Sequence, residues 1–114
     1  MTLRNERVRK ELMREIADII QKDIRGLSGL VSILDVEVSH DNSYAKVYYS
    51  VFGSEEQKEK TMEVIKQNTS KIRYEIGKRI RLRLTPELRF IYDNSIERGS
   101  KVNEIIDKIS RGEL

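Results

Sequence analysis

The strongest chemical bias in this sequence is a run of cations. Between positions 66 and 89 stand Lys66, Lys71, Arg73, Lys78, Arg79, Arg81, Arg83 and Arg89, against Glu75 and Glu87 alone. The whole chain of 114 residues carries a net charge of only +3, so this short segment holds more positive charge than the molecule as a whole. Residues 26–65 run the other way, with acids in excess. Such a local field suits a polyanion better than a small acidic substrate. On a helix advancing about 100° per residue, Lys66, Ser70, Arg73, Gly77 and Arg81 form one stripe. The two small residues would let a phosphate backbone come close, and the flanking cations would neutralise it. Lys71 and Lys78 line the other flank of the apolar stripe, and Arg79 and Arg83 add to the same field. A face that serves solubility alone usually mixes signs, whereas acids are nearly absent here.

Other chemistries find less support. The chain has no cysteine and a single histidine, His40, so disulfides, thiolate metal sites and the usual transition-metal sets are out of reach. His40 adjoins a turn, where it reads as an exposed turn residue rather than a catalytic base. No Walker-type loop and no Ser-His-Asp grouping stands out. Composition leaves a carboxylate-only magnesium site open. The expectation is a binding protein with no enzymatic activity, no cofactor and no small-molecule substrate. Gly26-x-x-Gly29 has the spacing of the GXXG loop that clamps nucleic acid in KH domains. It precedes the first strand instead of joining two central helices, and reads as a helix stop and hairpin lead-in. Arg7, Lys10 and Arg14 either extend the basic surface or pair with Glu6, Glu11 and Glu15. Tyr44 and Tyr48 share a strand face, where they either stack on bases or cover the sheet.

The elements that position these residues follow from periodicity. Val8, Leu12, Ile16, Ile19 and Ile20 repeat at helical spacing and predict a helix from about Leu3 to Ile24. From Val31 the period becomes two: Leu34, Val36 and Val38 alternate with Asp35 and Glu37. After the turn His40-Asp41-Asn42-Ser43, Ala45, Val47, Tyr49 and Val51 alternate likewise, so the two runs predict an antiparallel hairpin. Ser54-Glu55-Glu56-Gln57 is a capping-box pattern. Met62, Ile65, Thr69, Ile72, Ile76 and Ile80 then mark the buried stripe of a helix running to about Leu82, with a break near Asn68-Thr69-Ser70. Pro86 ends it, and Leu88, Phe90 and Tyr92 mark a third strand. Val102, Ile105, Ile106 and Ile109 predict a last helix.

This is one small α+β domain with helices on one face of a three-stranded sheet. The N-terminus has no apolar signal region, and no apolar run approaches the ~20 residues of a membrane span. The expected location is the cytoplasm, with no membrane partner.

Placed on these elements, the sequence resembles the ribosome-binding factor A family over essentially its whole length. The likeness is greatest from Ile72-Arg73-Tyr74-Glu75-Ile76-Gly77-Lys78-Arg79 through Leu84-Thr85-Pro86-Glu87-Leu88-Arg89-Phe90, and at Tyr92-Asp93-Asn94-Ser95-Ile96-Glu97-Arg98-Gly99. The resemblance implies a single type-II KH-like RNA-binding domain over residues 1–114, ordered αββααβ(α), with a helix-kink-helix in place of the GXXG loop. It also implies partners, the free small (30S) ribosomal subunit and its 16S rRNA. The implied roles are late subunit maturation, processing of the precursor rRNA 5′ end and cold adaptation. At the kink, where the family usually carries Ala-x-Gly, this chain has Asn68-Thr69-Ser70, and Ser70 lacks glycine's freedom at positive φ. The expectation is a kink of different shape.

Lys66, Ser70, Lys71, Arg73, Gly77, Lys78, Arg79, Arg81 and Arg83 are the expected RNA-binding residues. A second reading is a protein-interaction module that docks its basic face on an acidic protein partner. No heptad seam is present, and a monomer is expected.

Overall fold

The apolar face of the first helix closes one side of the core. In the computed structural model, which describes residues 3–93, that helix is α1 (Leu3–Asp23). Leu12, Ile16 and Ile19 are fully buried along it, as their spacing requires. After α1 the chain reverses through Gly26 and Gly29, both at positive φ. A Cβ on Gly29 would stand 2.7 Å from the Phe52 carbonyl oxygen, so only glycine fits there. The GXXG-spaced pair is therefore a helix stop and a lead into β1 (Leu30–Val38).

β1 pairs antiparallel with β2 (Tyr44–Phe52), and β2 pairs parallel with β3 (Glu87–Tyr92), giving a mixed sheet in the order β1-β2-β3. One feature of β1 lay outside the sequence reading. Val31 and Ile33 oppose Val51 and Tyr49, whereas Val36 and Val38 oppose Val47 and Ala45. The inward residues switch from odd to even positions because the register shifts between Ile33 and Asp35. Leu34 is the extra residue of a β-bulge, so it does not share the alternation of Val36 and Val38.

The hairpin turn is a hydrogen-bonded knot. Asn42 takes the left-handed conformation at φ 62°, and its N–H donates to the Ser39 carbonyl at 3.0 Å. The Asp41 carboxylate accepts from the Ser43 hydroxyl at 2.7 Å, the Ser39 hydroxyl at 2.9 Å and the Ser43 N–H at 3.1 Å. These donors, Ser43 foremost, hold its pKa down at about 2. His40 lies exposed beside them.

α2 (Glu55–Gln67) opens with the expected capping box. The Ser54 hydroxyl accepts from the Gln57 N–H, and the Gln57 side chain accepts from the Ser54 N–H at 2.9 Å. Its buried stripe differs from the expected one by a residue. Met62 is 37% exposed, while Thr61 is fully buried. Thr61 turns inward because its hydroxyl meets both backbone groups of Ser28: it accepts from the N–H at 2.8 Å and donates to the carbonyl at 2.5 Å. A polar side chain so satisfied can occupy the interior.

α3 (Thr69–Arg79) ends three residues before the expected Leu82. Ile80 is already extended, at φ −113° and ψ 124°, yet its side chain stays in the core and its N–H bonds to the Ile76 carbonyl. The three described helices pack on one face of the sheet: Ile72 and Ile76 join Val36, Val38, Ala45 and Val47, while Ile65 packs with Tyr49 and Val51. Tyr49 meets Phe90 and Tyr92 edge-on, at centroid distances of 6.1 and 5.6 Å. Burial pushes its hydroxyl pKa up to about 12. The expected last helix, with Val102, Ile105, Ile106 and Ile109, lies outside the described residues.

Candidate nucleic-acid interface

The break between α2 and α3 is a single residue, Asn68, at φ −105° and ψ 9°. Its N–H donates to the carbonyls of Val64 and Ile65, both at 3.1 Å, and its side-chain amide donates to Val64 at 2.7 Å. The Thr69 hydroxyl adds a bond to Ile65 at 3.0 Å. Asn68 and Thr69 thus satisfy the terminal carbonyls that a broken helix would leave bare. No kink residue needs positive φ, so Ser70 can stand where the family pattern has glycine. The two helices stay continuous enough that Ile65, Ile72 and Ile76 remain fully buried on one side. Their other side turns the cations outward.

The cations of α2, α3 and the segment after α3 fall into three groups. Lys66 on α2, and Arg81 and Arg83 in the segment between α3 and β3, are exposed and form no ion pair or side-chain hydrogen bond with the described residues. Arg81 therefore lies off the helical stripe expected for it, because the chain is already extended at Ile80. Lys66 and Arg89 line a groove of about 560 Å³ between α2 and β3, where Glu59 and Glu63 offset their charge.

Arg73 and Lys78 line a second groove, of about 580 Å³, together with Ser70, Tyr74, Gly77, Leu84 and Thr85. The Arg73 guanidinium donates from Nε to the Pro86 carbonyl at 3.1 Å and from Nη2 to the Thr85 carbonyl at 3.0 Å. It therefore pins the segment leading into β3 and keeps its remaining N–H donors for a ligand. Gly77 has a packing role too: a Cβ there would lie 3.0 Å from the Thr85 hydroxyl. Lys78 pairs with Glu75 at 3.0 Å, which raises its pKa, and its ammonium sits 5.0 Å from the centre of the Tyr74 ring.

The third group faces α1. Arg79 binds Asp18 at 2.7 Å, Asp23 at 3.1 Å and Glu15 at 3.2 Å. The hydrogen bond to Asp18 raises the arginine's pKa, and Arg79 in turn holds Asp18 below the usual carboxylate range. Lys71 donates from Nζ to the Asp23 carbonyl at 3.1 Å, placing a cation at the negative end of α1. Both residues spend charge on holding α3 against α1.

Sequence reasoning passed over Tyr74, Leu84 and Thr85. The available signal was an aromatic at position 74 on a cationic helix face. Tyr44 and Tyr48 lie on the sheet face away from the helices. The Tyr48 hydroxyl donates to Glu37 at 2.9 Å, which raises its pKa. On α1, Arg9 pairs with Glu6 and with Asp35 at 2.7 Å. Arg14 meets Glu15 at 3.4 Å. Among the described residues no group of His, Asp and Glu side chains is arranged to hold a metal ion, and no helix is long and apolar enough to cross a membrane.

The order αββααβ, the mixed sheet covered on one face and the helix-kink-helix with outward cations define a type-II KH-like domain. Residues 4–106 match the family model described as Ribosome-binding factor A. Ribosome-binding factor A of Acetivibrio thermocellus is 50% identical over 109 residues, which span 94% of this chain and 89% of that one. The Moorella thermoacetica relative is 47% identical over 116 residues, 99% of this chain and 95% of that one. In structure the chain is similar to a Thermotoga maritima protein solved by NMR, with a TM-score of 0.64 and 29% identity over 75% of this chain and 83% of that one. It has the same fold as a homology model of Thermus thermophilus ribosome-binding factor A fitted into the cryo-EM map of a 30S complex. That TM-score is 0.63, at 24% identity over 75% of this chain and 91% of that one. The chain belongs to the ribosome-binding factor A family.

Proposed function

We propose that this protein is a non-catalytic assembly factor that binds the free small (30S) ribosomal subunit through its 16S rRNA. Binding serves late subunit maturation and processing of the precursor rRNA 5′ end, and is needed most in the cold. The protein acts in the cytoplasm as a monomer, a single domain over residues 1–114. The observation that carries this reading is the outward cationic face of α2 and α3 in a member of the ribosome-binding factor A family. A Thermus thermophilus relative fitted into a 30S complex adds support. In this reading Lys66, Ser70, Lys71, Arg73, Gly77, Lys78, Arg79, Arg81 and Arg83 form the RNA-facing surface. Lys66, Arg73, Lys78, Arg81 and Arg83 touch phosphates, while Lys71 and Arg79 also hold α3 in place. Binding delays a local rRNA rearrangement or final subunit joining. Phosphate contacts position the domain, and specificity comes from RNA shape and neighbouring proteins.

Co-sedimentation with purified small subunits at several salt concentrations tests this. Lys66→Glu/Arg81→Glu is the informative variant, because neither side chain has a structural partner among the described residues. Salt-sensitive binding that the folded variant loses is the expected result. Equal binding by the variant, or none by the native chain, overturns it. Digestion with ribonuclease separates RNA-dependent association from docking on an acidic protein.

A further inference from the structure

We propose that the groove beside α3 receives an unpaired nucleotide of single-stranded RNA, with its base stacked on Tyr74. This deepens the RNA-binding reading and rests on it. Tyr74 is 67% exposed, a large apolar surface left in water on the most cationic part of the molecule. The chain has five tyrosines and two phenylalanines. Tyr49, Phe90 and Tyr92 pack together at the core, and Tyr44, Tyr48 and Phe52 lie on the sheet face away from the helices. Tyr74 is thus the aromatic of the α2–α3 surface.

Its neighbours complete a nucleotide-sized site. The groove of about 580 Å³ is lined by the small residues Ser70 and Gly77 beside Tyr74, and the exposed Leu84 adds apolar surface. Arg73 and Lys78 also line it and supply the positive charge that flanking phosphates require. Lys78 lies over the Tyr74 ring, and a cation on one side of an aromatic is compatible with a base on the other. The hydroxyls of Ser70 and Thr85 can meet ribose or phosphate oxygens. Paired bases have both faces covered by their neighbours in the duplex, so an aromatic on an open surface selects an unpaired base.

The chain has no tryptophan, so the full-length Tyr74→Trp variant carries a single indole as reporter. The probes are labelled oligouridine of about ten nucleotides, a length suited to one small domain, and an oligoadenine–oligouridine duplex of equal length. Fluorescence quenching by the single strand, and little by the duplex, is expected. In the native background, Tyr74→Ala should weaken single-strand binding roughly 5- to 150-fold, while Tyr74→Phe stays within about twofold because the ring is retained. If the native chain binds RNA with the expected salt dependence but Tyr74→Ala binds the single strand equally well, the stacking site is wrong and the RNA-binding reading stands. Tyr74→Ala that keeps single-strand affinity yet loses small-subunit binding assigns Tyr74 to a protein contact and overturns the proposal. Failure of the native chain to bind any RNA overturns both.

Discussion

Arg79 on α3 lies 2.7 Å from Asp18 on α1, and its other guanidinium nitrogen reaches Asp23 at 3.1 Å. Glu15 completes the group at 3.2 Å. One arginine thereby ties two helices that are 56 or more positions apart in the chain to a common orientation. Its planar fork suits such multiple pairing better than a lysine ammonium does.

Arg79→Ala is therefore expected to lower the thermal midpoint more than Lys22→Ala, whose ammonium makes an exposed pair with Asp18 alone. Its effect on small-subunit binding should be smaller than that of Arg81→Ala once folded protein is compared with folded protein. Thermal unfolding and co-sedimentation on the same samples check both parts.

Each free cation that contacts a phosphate should leave a mark on salt dependence. Lys66→Ala and Arg81→Ala are each expected to reduce the slope of log affinity against log salt by about 0.7 to 0.9. Loss of affinity with an unchanged slope would show that the residue acts through shape, not through a phosphate.

Thr61 supplies a test inside the fold. Thr61→Val keeps the volume but strands the N–H and carbonyl of Ser28, and should cost about 1–3 kcal/mol in urea unfolding. Met62→Gln, one position along, 37% exposed and still a good helix former, should cost less than Thr61→Val, under about 1 kcal/mol. A reversed order would place the buried stripe where the bare periodicity had put it.

Acid should loosen the hairpin turn. The Ser43 and Ser39 donors keep Asp41 ionised down to about pH 2 in the folded chain, whereas in the unfolded chain it takes a proton near its ordinary value. The stabilising contribution is complete above about pH 4 and is lost as pH falls toward 2. Thermal midpoints of the native chain and Asp41→Asn should differ most above pH 4 and converge toward pH 2.

The kink can be tested at its own residue. Asn68→Ala removes the amide bond to the Val64 carbonyl and should cost about 0.5–1.5 kcal/mol. Asn68→Gly adds backbone freedom without meeting any demand for positive φ, so it should be no better tolerated.

The sequence by itself determined the elements and their order. Apolar residues at spacings of three and four, or at every second position, can be buried on one face only as helices or strands. Ser54 with Gln57 and Gly26 with Gly29 mark ends by local hydrogen bonding and backbone freedom. The excess of cations between positions 66 and 89 was equally plain, because charge is a property of composition. The tertiary structure decided which of those charges remain available. Arg79 and Lys71 lie beside acids or carbonyls of α1, and Arg73 is partly committed to Thr85 and Pro86, through contacts between residues distant in the chain. The tertiary structure also decided the bulge at Leu34 and the inward turn of Thr61. A periodic pattern cannot register one added residue or a hydroxyl whose partner lies 33 positions away. The groove at Tyr74 belongs to the same class: it exists only because the segment around Thr85 folds back against Gly77.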